Sequence, residues 1–100
     1  MKLVLYSKPG CHLCEGLQQK LAQIDDLAIE LEVRDITTRD DWFTAYQYEI
    51  PVLYYVSADP NDPGTIQAQR LPRLSPRGSA AQLQKMLERM LQTSVRKPGQ

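Results

Sequence analysis

The chain has 100 residues, of which 42% are hydrophobic and 24% charged, the composition of one soluble globular domain. Lys and Arg together number 12, as do Asp and Glu, so the formal net charge is zero and provides no long-range attraction to nucleic acid or an anionic membrane. No run approaches the roughly 20 apolar residues of a membrane span, and the apolar start of the chain is too short for a signal peptide. We therefore expect a cytoplasmic protein that binds neither nucleic acid nor a membrane.

The first half of the sequence predicts a β-α-β unit. Residues 3–6 form a continuous apolar run, which is typical of a strand buried on both faces. Apolar residues then recur at helical spacing, which predicts an amphipathic helix from near Cys11 to near residues 25–26. These residues are Leu13, Leu17, Leu21 and Ile24. Residues 29–34 alternate between apolar and charged side chains, which indicates a strand near a sheet edge with one face in solvent. The two strands would be parallel and joined by a right-handed crossover.

The second half begins with a short helix and two strands. Thr38 resembles a helix start with acidic residues after it, and the aromatic residues that follow predict a short helix ending before Pro51. Residues 52–56 are β-branched and aromatic, as in a central strand. Residues 57–64 are dense in turn formers and predict a loop. The weaker pattern of residues 65–71 indicates an edge strand.

A capping box marks the last helix, because Ser79 is followed three residues later by Gln82. Apolar residues then recur at helical spacing over residues 83–91. Residues 93–100 are polar and predict a disordered tail, so that residues 1–92 form a single domain. The element order is β-α-β-α-β-β-α, and a four-stranded mixed sheet flanked by helices is the economical way to close it.

The two cysteines, Cys11 and Cys14, lie where the first strand gives way to the first helix. Unpaired backbone N–H groups and the helix dipole stabilise a thiolate at Cys11, which would lower its thiol pKa from about 8.5. Cys14 lies one turn further along the same side of the helix, within reach of a disulfide. We therefore predict that Cys11 attacks a disulfide and that Cys14 resolves the resulting mixed disulfide.

Two other interpretations of the cysteine pair stay open. One is half of a zinc site, although His12 is the only further ligand nearby and a tetrahedral site would need a dimer; we expect no metal. The other is a pair of cysteines without a chemical role. Lys8 and His12 would favour a thiolate by their positive charge, and the alternative for each is simple exposure to solvent. Gly10 belongs to a turn through which the chain enters the helix sharply.

The strand and loop of residues 5–14, which end in K-P-G-C-H-L-C, resemble the active-site segment of glutaredoxins, in particular a short glutaredoxin-like group. Residues 49–52, Glu-Ile-Pro-Val, are similar to the cis-proline element of that family. Base rates alone favour a trans bond before Pro51. The resemblance, which extends over residues 1–91, implies instead a cis bond packed beside the cysteines, and a thioredoxin-like fold. In that arrangement the backbone of Ile50 would pair with an extended substrate.

Two features depart from the glutaredoxin pattern. His12 and Leu13 lie between the cysteines, where the family usually has Pro-Tyr. The Gly-Gly turn and the acidic residue that help glutaredoxins hold glutathione are replaced by residues 74–79, which contain one glycine. We therefore expect no tightly bound cofactor, and glutathione only as a weakly bound co-substrate in contact with Lys8 and with Arg73 or Arg77.

The resemblance implies a thiol–disulfide oxidoreductase that maintains cellular redox balance through the Cys11/Cys14 dithiol. Its partners would be protein or glutathione disulfides and a thioredoxin- or glutathione-type reductant, and we expect a monomer. The alternative is a binding or redox-sensing module of the same fold without turnover, in which a groove near Pro51 recognises a peptide.

Overall fold

The computed structural model describes residues 1–59, 61–73, 75 and 77–95. Its elements are, in chain order, β1 (Lys2–Ser7), α1 (His12–Ala22), β2 (Glu30–Asp35), α2 (Asp40–Tyr46), β3 (Val52–Asp59), β4 (Asp62–Arg70) and α3 (Ala80–Val95). A single turn of 3-10 helix, Ile36–Thr38, separates β2 from α2. The predicted order β-α-β-α-β-β-α is confirmed.

The four strands form one mixed sheet in the order β2-β1-β3-β4. β1 pairs in parallel with β2 and antiparallel with β3, and β3 pairs antiparallel with β4. In this register Leu5 lies between Val33 of β2 and Leu53 of β3. The predictions of a central third strand and of edge positions for the second and fourth strands are confirmed.

β1 contributes to two cores, because successive side chains of a strand point to opposite faces of the sheet. Leu3 and Leu5 are fully buried on the face covered by α1 and α3. The same cluster contains Leu21 of α1, Ile24 just after that helix, and Leu83 and Leu87 of α3. Val4 and Tyr6 are buried on the opposite face, against side chains of α2. A mixed sheet with two helices on one face and one on the other is the thioredoxin-like fold.

Tyr6 is the centre of an aromatic cluster on the α2 face. Its ring lies 4.3 Å from that of Tyr46 and 5.7 Å from that of Trp42, measured between centroids. Arg34 donates a hydrogen bond of 2.8 Å from Nη1 to the Tyr6 hydroxyl, and its guanidinium lies over the Tyr6 and Trp42 rings. These contacts anchor the end of β1 just before the loop that carries the cysteines.

The predicted loop over residues 57–64 is wrong. β3 continues to Asp59 and β4 begins at Asp62, so most of the turn-forming residues belong to a long hairpin. The pairing register shifts beside Asp59, and the Asp62 carboxylate accepts a hydrogen bond of 2.7 Å from the Thr65 hydroxyl. Strand pairing has therefore overruled the local preference of these residues for turns.

Three helix boundaries also differ from the sequence-based expectation. α1 ends at Ala22, a few residues before its predicted end, and α2 begins at Asp40, because Thr38 lies in the 3-10 turn. α3 continues to Val95, into the segment predicted as a tail, and residues 96–100 lie outside the described residues. Across the described ranges no helix has both the length and the apolar composition that crossing a membrane requires.

Candidate active site

The chain passes from β1 to α1 through a tight turn. The Cys11 amide donates a hydrogen bond of 3.3 Å to the Lys8 carbonyl, and Gly10 has a φ of 81°. Proline at the second position and a glycine of positive φ at the third are the signature of a type II turn, here with Pro9 at the second position. A side chain at Gly10 would meet no neighbouring atom, but it would force a left-handed backbone that other residues avoid. The turn therefore fixes the point at which Cys11 starts the helix.

Cys11 and Cys14 form a disulfide with 5.3 Å between their Cα atoms. Cys11 is the N-cap residue of α1 and is partly exposed, whereas Cys14 is fully buried in the first turn. The Cys14 amide donates a hydrogen bond of 3.2 Å to the Cys11 sulfur. Such a bond is stronger when its acceptor carries a negative charge, so this amide favours a thiolate at Cys11. Exposure and hydrogen bonding thus distinguish the two sulfur atoms, and the attacking and resolving roles predicted for them stay a prediction.

Lys8 and His12, whose side chains are predicted to favour a thiolate, are both exposed. The His12 side chain is 94% exposed, and its Nδ1 lies 3.6 Å from Oε2 of Glu15. Lys8 is exposed and lines a shallow depression together with Glu15 and Asp35. Their predicted effect on a thiolate stays a prediction. In the part of the chain that is described, no three His, Cys, Asp or Glu side chains come together to hold a metal ion.

The Ile50–Pro51 peptide bond is cis, as the resemblance implies. Pro51 lines the same groove as His12 and Leu13, the two residues between the cysteines, so the two sequence motifs meet at one site. The Ile50 amide donates to the Tyr46 carbonyl at 3.1 Å, and the Ile50 carbonyl accepts from Nη2 of Arg73 at 3.4 Å. Of the Ile50 backbone groups, the amide is therefore already bonded within the chain, while the carbonyl keeps capacity for a second donor.

The groove has a volume of about 600 Å³ and follows α1 away from the cysteines, on the face of the sheet that α3 also covers. Leu13, one of its lining residues, is 46% exposed. Arg73, one of the two arginines predicted to contact glutathione, also lines the groove. Arg77, the other one, is exposed in the turn before α3, where its amide donates to the Ser75 hydroxyl at 3.2 Å.

The amides of this turn are already used within the chain. The Gly78 amide donates to the Ser75 carbonyl at 2.8 Å. The predicted capping box is confirmed, because the Ser79 amide donates to Oε1 of Gln82 at 2.9 Å and the Gln82 amide donates to the Ser79 hydroxyl at 3.1 Å. Arg77, Gly78 and Ser79 thus present three consecutive amides that already have acceptors. They lie in the segment that replaces the Gly-Gly turn of glutaredoxins.

The helical spacing in α1 predicts a single apolar face, but the residues of that face have different surroundings in the structure. Leu21 is buried in the core, Leu17 is half-buried, and Leu13 faces the groove. Gly16 and Lys20, which also line the groove, were missed. They lie three and seven residues after Leu13, and this helical spacing is the signal that places them on the same face.

The chain is a redox module of the thioredoxin fold, since the sheet and the place of the cysteine pair are both those of that class. It belongs to the glutaredoxin-like family, because the Glutaredoxin-like domain (DUF836) matches residues 2–88. A solved structure that it resembles is the X-ray structure of the structural genomics target protein XcR50 from X. campestris. The two are 26% identical with a TM-score of 0.54, over 87% of this chain and 96% of the other. Among curated proteins no match was found.

Proposed function

We propose that the protein is a thiol–disulfide oxidoreductase that works through Cys11 and Cys14. The observation that supports this most strongly is the asymmetry of the pair. Cys11 is partly exposed at the helix N-terminus and accepts a hydrogen bond from the Cys14 amide, whereas the Cys14 sulfur is sheltered within disulfide distance. An accessible, stabilised thiolate attacks efficiently, and a sheltered thiol beside it completes the exchange.

The reaction starts from the reduced dithiol. Cys11 loses its proton to solvent, and its thiolate attacks one sulfur of the substrate disulfide; a mixed disulfide forms as the substrate S–S bond breaks, and the leaving thiolate takes up a proton. Cys14 then loses its proton and attacks the Cys11 sulfur, which releases the second substrate thiolate. Two electrons pass to the substrate, and the protein is left with the Cys11–Cys14 disulfide. A thiol reductant of the glutathione or thioredoxin class returns the two electrons.

The surrounding residues have supporting roles in this proposal. Gly10 holds the turn that presents Cys11, and Lys8 and His12 add positive charge near the developing thiolate. Pro51 lines the groove beside the cysteines, and the Ile50 carbonyl accepts a backbone N–H of the substrate alongside Arg73. The protein would act as a monomer in the cytoplasm, where such a reductant is present.

We propose further that glutathione is a weakly bound co-substrate. Arg73 offers a cation for one of its carboxylates. The three amides before α3 are occupied, as described above, so the second carboxylate lacks the backbone donors that a tight site would provide.

A steady-state assay distinguishes an oxidoreductase from a binding or redox-sensing module without turnover. The oxidised protein is supplied with a small mixed disulfide and with either glutathione and its reductase or thioredoxin and its reductase, and consumption of NADPH is followed. We expect many turnovers with at least one of the two systems. Consumption that stops after one equivalent per protein would instead favour a redox-sensing or binding module without turnover.

A further inference from the structure

We propose that the groove beside α1 docks the polypeptide that carries the target disulfide, and that it selects a segment with an apolar side chain and an acidic side chain close to the cysteine. This inference rests on the proposed oxidoreductase function and adds the substrate class to it. It would make Leu13, Gly16 and Lys20 determinants of specificity.

The position of the groove connects it to the reactive pair. His12 and Leu13 lie between Cys11 and Cys14 in the chain and line one end of the groove. A segment that is attached to the sulfur under attack by Cys11 therefore enters the groove directly. The volume of about 600 Å³ lies in the range of sites that hold a ligand much larger than one side chain.

The length of the groove matches a short extended peptide. Its α1 wall runs from His12 to Lys20, eight residues apart, which is about 12 Å at a rise of 1.5 Å per residue. An extended chain advances about 3.3 Å per residue, so roughly three to four substrate residues lie along this wall. The determinants of selection are therefore expected within about four residues of the substrate cysteine.

Much of the groove lining is apolar. Leu13 and Leu17 of α1, Leu71 and Pro72 after β4, and Met86 of α3 contribute to its lining. Leu13 remains 46% exposed, so its apolar surface is available to a partner. Burial of an apolar substrate side chain here removes both surfaces from water, which is the favourable contribution to binding.

The charge of the lining is predominantly positive. Among the described residues, Lys20, Arg70 and Arg73 line the groove together with the carboxylate of Glu49. Arg70 pairs with Glu49 at 3.2 Å, and Arg73 adds a further guanidinium to the lining, so basic side chains outnumber acidic ones among the described lining residues. An acidic substrate side chain complements this excess, and a basic one is repelled by it.

The test compares three peptides, each linked through its cysteine to thionitrobenzoate. The first is acetyl-Gly-Cys-Leu-Leu-Glu-Glu-amide, the second has Ser in place of Leu, and the third has Lys in place of Glu; each is also made in the reverse sequence order. Attack by Cys11 on the peptide sulfur releases thionitrobenzoate, whose absorbance gives the rate. For the first peptide, in at least one of the two orders, we expect a rate constant about tenfold above the other two, which corresponds to about 1.4 kcal/mol.

Gly16 provides the variant that closes the groove, since nothing lies within 4 Å of a Cβ built there. Gly16→Leu places a side chain in the groove and replaces glycine by a better helix former, so the fold is retained. Gln19→Leu, at an exposed position of the same helix outside the groove, is the matched control. We expect the preference for the first peptide to fall about tenfold in Gly16→Leu and to persist in Gln19→Leu.

The mixed disulfide of 2-mercaptoethanol with thionitrobenzoate is the control substrate. Its rate of reaction tests the oxidoreductase function separately from the docking of a peptide in the groove. Three results would overturn the docking proposal and leave the oxidoreductase function in place. They are equal rates for all peptides, a preference that survives Gly16→Leu, and a faster reaction with the mixed disulfide of glutathione and thionitrobenzoate than with any peptide. Absence of reaction with the small disulfide as well would overturn both.

Discussion

The backbone amide of Cys14 lies 3.2 Å from the sulfur of Cys11 and donates a hydrogen bond to it. In the proposed mechanism, the residue that resolves the mixed disulfide thus also donates a hydrogen bond to the sulfur that attacks. This is possible because Cys11 occupies the N-cap of α1, where the amides of the first helical turn lack acceptors within the helix. Serine and aspartate fill this position in other helices for the same reason, and here a sulfur takes their place.

The two cysteines should respond differently to removal. We predict that Cys11→Ser abolishes exchange, since the buried Cys14 cannot reach a substrate. Cys14→Ser should still attack and then accumulate a mixed disulfide, because nothing resolves it. Intact-mass spectrometry after reaction with an excess of a peptide disulfide measures the adduct. An adduct on Cys11→Ser, or none on Cys14→Ser, would contradict these roles.

Gly10 should matter for stability through its backbone alone. With a φ of 81°, Gly10→Ala forces alanine into the left-handed region, which costs about 1–2 kcal/mol. Gly16→Ala is the matched control, because Gly16 lies within α1 and alanine there should stabilise by up to about 1 kcal/mol. Urea unfolding followed by circular dichroism gives both values. Equal effects of the same sign at the two sites would exclude the turn geometry as the cause.

Part of this architecture follows from the sequence for physical reasons. The apolar run in β1 predicts burial on both faces, because only a strand between two helix layers lacks a polar side, and Leu3 and Val4 lie in the two separate cores. The Ser79 and Gln82 capping box is a local pattern whose hydrogen bonds close within one turn. Such local signals need no knowledge of the rest of the chain.

Other parts depend on contacts between distant segments and leave no local pattern. Residues 57–64 look like a loop, because they become strand only through the pairing of β3 with β4, and the sequence pattern of β4 is weak. The groove joins α1, the end of β4 and α3, so neither its volume nor the exposure of Leu13 can be derived from the spacing in α1. The hydrogen bond from Arg73 to the Ile50 carbonyl also joins residues far apart in the chain, so no local pattern predicts it.

Glutathione should bind weakly, with only one of its two carboxylates held by the protein. We predict a dissociation constant in the millimolar range, with amide shift changes at Leu13 and Arg73 along the groove. The amides of Gly78 and Ser79 should not move, since each already has an acceptor in the chain. Titration of the ¹⁵N-labelled Cys14→Ser variant with glutathione measures both. A micromolar complex centred on Gly78 and Ser79 would contradict the weak-site interpretation.

Asp35 should contribute to stability in a pH-dependent way. The hydroxyl and amide of Thr37 donate to its carboxylate and lower its pKa. A carboxyl whose pKa is lower in the folded state stabilises the protein above its unfolded pKa of about 3.9, and this contribution is lost as the pH falls through the folded value. Asp35→Asn keeps an oxygen acceptor but cannot titrate. We expect its urea midpoint to fall less steeply than that of the wild type below about pH 4, and parallel profiles would refute this.

The central claim is that Cys11 is the activated thiol of the pair, and the pH dependence of alkylation tests it most directly. The protein is reduced, treated briefly with iodoacetamide at a series of pH values, and digested, and mass spectrometry measures the modified fraction of each cysteine. We predict that Cys11 is modified first at every pH and that its rate follows a pKa clearly below the value of about 8.5 for a free cysteine. Modification of Cys14 ahead of Cys11, or a pKa for Cys11 at or above that of a free cysteine, would contradict the account.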